Sequence, residues 1–528
     1  MKTQKLHWLF FLALTLCYLA LSPGAILGMG YTAENVQAAN QIISNLGDWL
    51  SFRLADTQIS WPRHGVYEPI FEIPFLLLSK VFPGDPPEVW ADRILAVEPI
   101  LATSLLCALI FIWVHRITSS LVWSYILALV AGFSTMLWAY AYIGLETTQS
   151  LFLLLAGYLA LGPNQKRSRF RALLFALSCG LAISMKSNGL FLAPAVLSLV
   201  YFYLRDEFSN QSLKSAAFLR RLAGIAAVIV AIYALNAYTR TLSPIWASGS
   251  FSSFKSFNND GPMMALFNMI SLLGSVNKGL FMYSPILLLG VAALRRAYQM
   301  SPGVAIFAGL TLASLVGGCS LVYFWSDETW GPRYLHSSIG PLIICLAVTK
   351  QTIRFRFRKE IPLIALALLG SWVSFLGAFF YYGTMHRAAI QSSQSTLETL
   401  QYDFNWNHVR FNLKLLRVWM SEGQTPEAGN ETWPPARRWW FDPPPDATPL
   451  KTINLQDFAL PQSSLVRGWD IEKPQPYKTV WYVYLFCLWL GPLLMILLGY
   501  FVSRRDAELR RMESKLDHEC PTLQTQDI

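Results

Sequence analysis

The sequence predicts an all-α polytopic membrane protein with about twelve transmembrane helices and long outer loops containing juxtamembrane helices. Three observations predict it. Of 528 residues, 54% are hydrophobic and only 14% are charged, where an ordinary soluble chain carries about 25% charged residues. The apolar runs are continuous and rich in Leu, Ala and Ile. A helix needs about 20 such residues to cross the hydrocarbon core, where only helices and closed barrels satisfy every backbone group. Finally, the basic residues sit in short clusters between those runs.

Taken in order, apolar runs lie near 8–27, 94–114, 119–141, 147–162, 171–186, 188–204, 222–240, 279–295, 303–324, 334–349, 361–382 and 479–502. The first has basic flanks, as a signal peptide does. It is as long as a spanning helix and ends without a small-x-small cleavage site, so it is read as an uncleaved first helix. With the N-terminus in the cytoplasm, alternation places His115–Arg116, "NQKRSRFR", "RDEFSNQSLKSAAFLRR", Arg295–Arg296, "KQTIRFRFRK" and "RRDAELRR" inside. That agrees with the positive-inside rule and puts both termini in the cytoplasm. It also explains the net charge of +10 without nucleic acid as a partner. The division near "MKSNG" is set by the need to separate two short helices.

Outside fall a long loop at 28–93, the turn "AYIGLETTQ", two middle loops at 241–278 and 325–333, and a segment at 383–478 rich in Pro, Trp and Asn. The last is too long for an ordinary connection. The chain divides accordingly into a transmembrane module, 1–382, an outer segment, 383–478, and a final helix with a cytoplasmic tail, 479–528. Within the outer segment "HVRFNLKLLRVWM" sets Arg410, Lys414 and Arg417 on one helical face beside Phe411, Leu415 and Val418, the pattern of an interfacial amphipathic helix or of a soluble one. "VQAANQIISNLGDWLSF" in the first loop is similar. "NET" at 430–432 fits a glycosylation sequon. The seven cysteines, Cys17, Cys107, Cys179, Cys319, Cys345, Cys487 and Cys520, have no paired spacing and read as small apolar residues rather than disulfides or metal ligands.

The candidate chemistry lies at the outer exits. Glu34 follows the first apolar run, and "YTAEN" also reads as a helix start with Thr32 as its cap. Glu146 occupies a tight turn between two spans, where a charge is expensive to misplace. "WPRHGVYEPIFEIP" gathers Arg63, His64, Glu68 and Glu72. His64 and Glu68 have the spacing of two metal ligands on a helix, which leaves room for a divalent metal cation, although Pro69 makes regular helix there doubtful. Lys278 opens an apolar helix in "NKGLFMYSP". "YFWSDETWGPRYLHSSIGPLI" carries Asp327, Glu328, Arg333 and His336. Arg333 offers a bidentate fork and Lys278 a compact charge, so both are candidates for a donor phosphate. Snorkelling is the alternative for each alone. Trp325, Trp330 and Tyr334 read as sugar-stacking faces or as headgroup anchors.

"NKGLFMYSP" and "WGPRYLHSSIGPLI" resemble segments of bacterial membrane proteins similar to protein O-mannosyltransferases and the lipid A aminoarabinose transferase, which are GT-C glycosyltransferases. The resemblance spans most of residues 1–350. It implies a bundle of about a dozen helices, two juxtamembrane helices and a cavity at the outer leaflet. It also implies a polyprenyl-phosphate-linked sugar donor and, in some members, a divalent metal. The family's catalytic acid lies early in the first outer loop and is usually Asp. Glu34 holds that position here, one methylene longer. Glu146 matches a second acid in place.

The resemblance thus implies an inverting sugar transfer at the outer face. Glu34 takes a proton from an acceptor of unknown class (lipid, glycan or protein), Glu146 orients the acceptor or holds a metal, and Lys278 and Arg333 stabilise the departing polyprenyl phosphate. A bacterial inner membrane is the expected location. Alternatives are a flippase or transporter of lipid-linked sugars, a polysaccharide polymerase, or a non-catalytic scaffold. A transporter needs ionisable residues inside several spans, and here they lie mostly at the exits.

Overall fold

The computed structural model describes residues 2–21, 30–45, 62, 65–81, 94–95, 97–142, 145–163, 168–207, 216–243, 262–321, 330–351, 356–379, 407–422, 427–428 and 452–453. Eleven of the twelve apolar runs coincide with helical segments; the run at 479–502 lies outside the described residues. We number the helices α1 (Lys2–Leu21), α2 (Gly30–Ser44), α3 (Tyr67–Ser79), α4 (Val97–Thr118), α5 (Leu121–Phe133), α6 (Leu137–Tyr140), α7 (Leu145–Leu161), α8 (Arg169–Ser184), α9 (Ala193–Glu207), α10 (Ala216–Thr241), α11 (Pro262–Gly274), α12 (Leu280–Tyr283), α13 (Leu287–Met300), α14 (Pro302–Ser320), α15 (Ile339–Thr349), α16 (Ile361–Phe379) and α17 (His408–Glu422). Three 3₁₀ segments, Ser187–Leu192, Arg333–Ser338 and Phe357–Glu360, lead into α9, α15 and α16. Glu427–Ala428 and Thr452–Ile453 pair as two short parallel strands.

Among the described residues, five helical stretches are long and apolar enough to cross a membrane: Val97–Thr118, Asn188–Asp206, Ala216–Thr241, Pro302–Ser320 and Phe357–Ala378. The protein is a helical integral membrane protein. Its interior is one large apolar cluster in which aromatic rings fit edge to face, as Tyr125 does on Phe111, and α1 joins it by stacking Phe10 on Phe111 at 4.8 Å. Tyr18 anchors the same helix by donating to the Gly132 carbonyl at 2.8 Å.

The run 119–141 is broken at Ser134–Met136, where one helix was expected, and polar neighbours satisfy the break, as backbone away from water demands. There Met136 N–H donates to Ser284 Oγ at 3.0 Å and Ser374 Oγ donates to the Thr135 carbonyl at 2.8 Å. Local caps set other boundaries: Ser120 and Ser168 accept from Trp123 N–H and Arg171 N–H at the starts of α5 and α8, the ordinary role of a serine before a helix.

Between α1 and α4, α3 runs unbroken through Pro69 and Pro74. The expectation that Pro69 would disturb helix around Glu68 is therefore corrected. Pro69 is the third residue of α3, where a backbone N–H has no intrahelical acceptor in any case. α2 and α3 pack together through Ala38, Ile42 and Val66, and this small core rests on Leu235 and Leu242 at the end of α10.

The alternation of the helices brings charged ends together. At one end of the bundle Lys350, after α15, pairs with Glu360, before α16, at 2.7 Å, and lies over the Trp123 ring at the start of α5. Arg116 near the end of α4 reaches the Pro163 carbonyl after α7. The starts of α7 and α13 and the end of α8 lie at the other end, which holds the site described next.

Candidate functional site

Glu146 stands in the first turn of α7, a favourable place for a carboxylate, and is 3% exposed. Lys186 follows the end of α8, where the backbone turns extended (φ −132°, ψ 158°) before the Ser187–Leu192 segment, and is 2% exposed. Gly189 permits this tight reversal, because a Cβ there would overlap the Ile183 carbonyl. The Lys186 ammonium pairs with Glu146 Oε1. Arg333, at the start of the Arg333–Ser338 segment, brings its Nε to 3.7 Å from the same oxygen. Burial alone would raise the Glu146 carboxyl pKa; Lys186 and Arg333 outweigh it and hold the group below its ordinary value.

His336 lies one turn beyond Arg333 and is 1% exposed. Its Nδ1 is 2.8 Å from Ser150 Oγ. Ser150 spends its only proton on the Glu146 carbonyl at 2.6 Å, so Nδ1 must be the donor, and a neutral His336 carries its lone pair on Nε2. Ser337 Oγ, 3.0 Å from Ser150 Oγ, completes the cluster. The Tyr334 ring has Lys186 Nζ at 5.8 Å and the Arg333 guanidinium at 5.1 Å from its centre.

An aromatic column connects this cluster to Lys278. Tyr140 meets the His336 ring edge-on at 5.1 Å and donates to the Trp330 carbonyl at 2.8 Å. Trp330 meets Tyr283 edge-on, and Tyr283 donates to the Asn277 carbonyl at 2.7 Å. Lys278, next in the chain, is buried in that turn. Asn407, before α17, donates to the Val276 carbonyl at 2.5 Å, and His408 lies against Trp330.

Asn236 of α10 supports the cluster from beneath. Its side-chain oxygen accepts from Val66 N–H at 2.8 Å, and its amide donates to the Ser184 carbonyl at 2.5 Å. Arg240 donates to that same carbonyl at 2.5 Å. Tyr67 fixes the other side of the loop on the Ile232 carbonyl at 2.7 Å.

Of the sequence candidates, Glu146, Arg333 and Tyr334 are brought together; Lys278 is buried in the turn at the far end of the aromatic column. Glu34 lies in α2, four residues before Ala38; its side chain is outside the described residues. So are Arg63, His64, Trp325, Asp327 and Glu328. Glu68 lies in the first turn of α3 and Glu72 one turn later, buried. Among the described residues no three His, Cys, Asp or Glu side chains group as metal ligands.

One reading is corrected. Trp330 is neither a headgroup anchor nor an open stacking face: it is fully buried, with Gly377 backed against its ring. α17 forms as expected; Phe411 and Leu416 are buried in the protein and Asn412 donates to the Leu376 carbonyl of α16 at 3.0 Å, while the side chains of Leu415 and Val418 lie outside the described residues. Lys186 is the residue that sequence reasoning missed. The available signal was a lysine in the break between two apolar runs, on the side assigned to Glu146.

No family model matches the chain, and no curated protein matches it. Among solved structures it is similar to the crystal structure of ArnT from Cupriavidus metallidurans bound to undecaprenyl phosphate, with 14% sequence identity and a TM-score of 0.46, over 78% of this chain and 72% of that one.

Proposed function

We propose that the protein transfers a sugar from a polyprenyl-phosphate-linked donor to an acceptor at the outer face of a bacterial inner membrane, with inversion. The observation that carries this reading is the buried meeting of Lys186 and Arg333 on one carboxylate, with Arg333 in the Gly-Pro-Arg-Tyr segment that resembles GT-C transferases. Two cations held this close in a desolvated pocket suit the charge that builds on a departing phosphate.

The bonds balance simply. The acceptor O–H or N–H gives its proton to a carboxylate, its heteroatom bonds the anomeric carbon, and the carbon–oxygen bond to phosphate breaks. That electron pair leaves with the polyprenyl phosphate. Glu146 is poorly suited to be the base, because two cations occupy it. Glu34 is therefore the base in this reading, on a helix packed against the same end of the bundle. Lys186, Arg333 and Lys278 bind the phosphate, and Tyr334, beside two of them, faces the sugar. Arg63, His64 and Glu68 remain candidates for acceptor contact or for a divalent metal.

The test is incubation of the purified protein in lipid with radiolabelled polyprenyl-phosphate sugars. Release of polyprenyl phosphate that disappears in Glu34→Gln and Arg333→Ala supports the transferase. Binding without turnover with every acceptor tried points to a flippase instead.

A further inference from the structure

We infer that Glu146 is a resident counter-ion that the donor phosphate displaces, so that the carboxylate and the phosphate compete for Lys186. The inference rests on the reading above that this site takes a phosphate; it concerns how the site admits one. The ammonium of Lys186 and the carboxylate of Glu146 are in direct contact, and both are more than nine-tenths buried. A phosphate reaching Lys186 and Arg333 would meet Glu146 on the same cations. Two anions that close, out of water, repel strongly. One must leave.

The geometry lets the carboxylate swing while its backbone stays. Ser150 holds the Glu146 carbonyl at 2.6 Å, and Thr147 Oγ1 donates to the Tyr140 carbonyl at 3.3 Å. The anchored backbone leaves only the side-chain torsions to move. Glu146 also stands in the first turn of α7, so the displaced carboxylate can fold toward the amides of that turn, which have no intrahelical acceptor and favour negative charge. Lys186 gains a new partner without being stranded. The arrangement keeps two buried cations in place before the donor arrives, at the cost of some donor affinity. A structural pair would behave in the opposite way: removing either member would loosen the site and weaken binding.

The experiment measures binding of a polyprenyl phosphate to the full-length protein in nanodiscs, with the neutral polyprenol as control. Glu146→Gln should bind the phosphate about tenfold tighter or more than wild type, equivalent to about 1.4 kcal/mol or more. Its unliganded thermal midpoint should be lower, and phosphate should raise that midpoint further than in wild type. Lys186→Met should lose most phosphate binding. Because Glu146→Gln leaves an unbalanced buried lysine and risks misfolding, the double variant Glu146→Gln/Lys186→Met is made as well. It should elute and melt like wild type yet bind the phosphate poorly. Folded Glu146→Gln that binds as wild type or more weakly overturns the inference and leaves the proposed function standing. So does wild-type binding by the double variant. Absence of phosphate binding in wild type and in Glu146→Gln alike overturns the proposed function and this inference together.

Discussion

Asn236 donates to the Ser184 carbonyl at 2.5 Å, two residues before Lys186. The same side chain accepts from Val66 N–H at 2.8 Å. One amide thus ties the segment before α3 to the helix end that presents the buried lysine. Asn236→Leu removes the acceptor of Val66 N–H, while the Ser184 carbonyl keeps Arg240, and an unsatisfied buried group costs about 1–3 kcal/mol. Thermal unfolding should show that loss, and donor turnover should fall because Lys186 is less well held. Asn236→Asp, which keeps the acceptor for Val66, should recover part of the stability but less of the turnover.

Gly65 is locked to the same amide. Its φ is +91°, and a Cβ would overlap the Asn236 side-chain oxygen. Gly65→Ala should therefore destabilise the protein by more than the roughly 1 kcal/mol that backbone strain alone imposes. Because both changes break one contact, the losses in Gly65→Ala and Asn236→Leu should fall short of adding in the double variant. Full additivity in the unfolding data would separate the loop from the clamp.

His336 is assigned its proton on Nδ1 by the hydroxyl of Ser150. An asparagine can place an amide N–H near that nitrogen, whereas a glutamine reaches toward Nε2. His336→Asn should keep more of the wild-type thermal midpoint than His336→Gln does. Nitrogen NMR of the histidine-labelled protein should show a ring protonated at Nδ1 and bare at Nε2; the reverse tautomer would refute the assignment.

The depressed Glu146 pKa gives a pH test with a defined sign. The shift runs downward from 4.5, so the pair's stabilisation is complete above the unfolded value and is lost as pH falls through the folded one. The difference in thermal midpoint between wild type and Glu146→Gln should stay level from about pH 8 to about pH 5. It should shrink only below the ordinary carboxylate range. A difference that vanishes near neutrality would mean Glu146 is protonated in the folded protein.

Gly377 backs against the Trp330 indole, and an added Cβ would collide with the ring. Gly377→Ala should cost about 1–3 kcal/mol through overpacking. Its thermal midpoint should recover when Trp330 is also trimmed to Phe.

The helical, membrane-crossing nature of the chain was legible because continuous apolar runs and clustered cations are local properties of the sequence. Glu146 and Arg333 were legible as candidates because a charge beside a span is costly to place idly. Lys186 was not, because its importance depends on where the break after Ser184 aims it, and that is set by Asn236 and Arg240 on another helix. Trp330 looked like an interfacial aromatic because burial under α17 and against Gly377 involves partners 47 and more residues away. The break at Ser134–Met136 was hidden for the same reason: the distant side chains of Ser284 and Ser374 satisfy it.

The spacing of the buried charges also bears on how the chain is made. Glu146 and Lys186 are 40 residues apart and belong to α7 and the end of α8, consecutive in the order of synthesis. A nascent chain can therefore neutralise the carboxylate as soon as α8 has left the ribosome, long before Arg333 is translated. The translocon receives a helical hairpin whose two charges cancel rather than a lone buried acid. A variant lacking Lys186 but keeping Glu146 would deliver that acid without its countercharge, so less of it should reach the membrane than of the Glu146→Gln/Lys186→Met double variant.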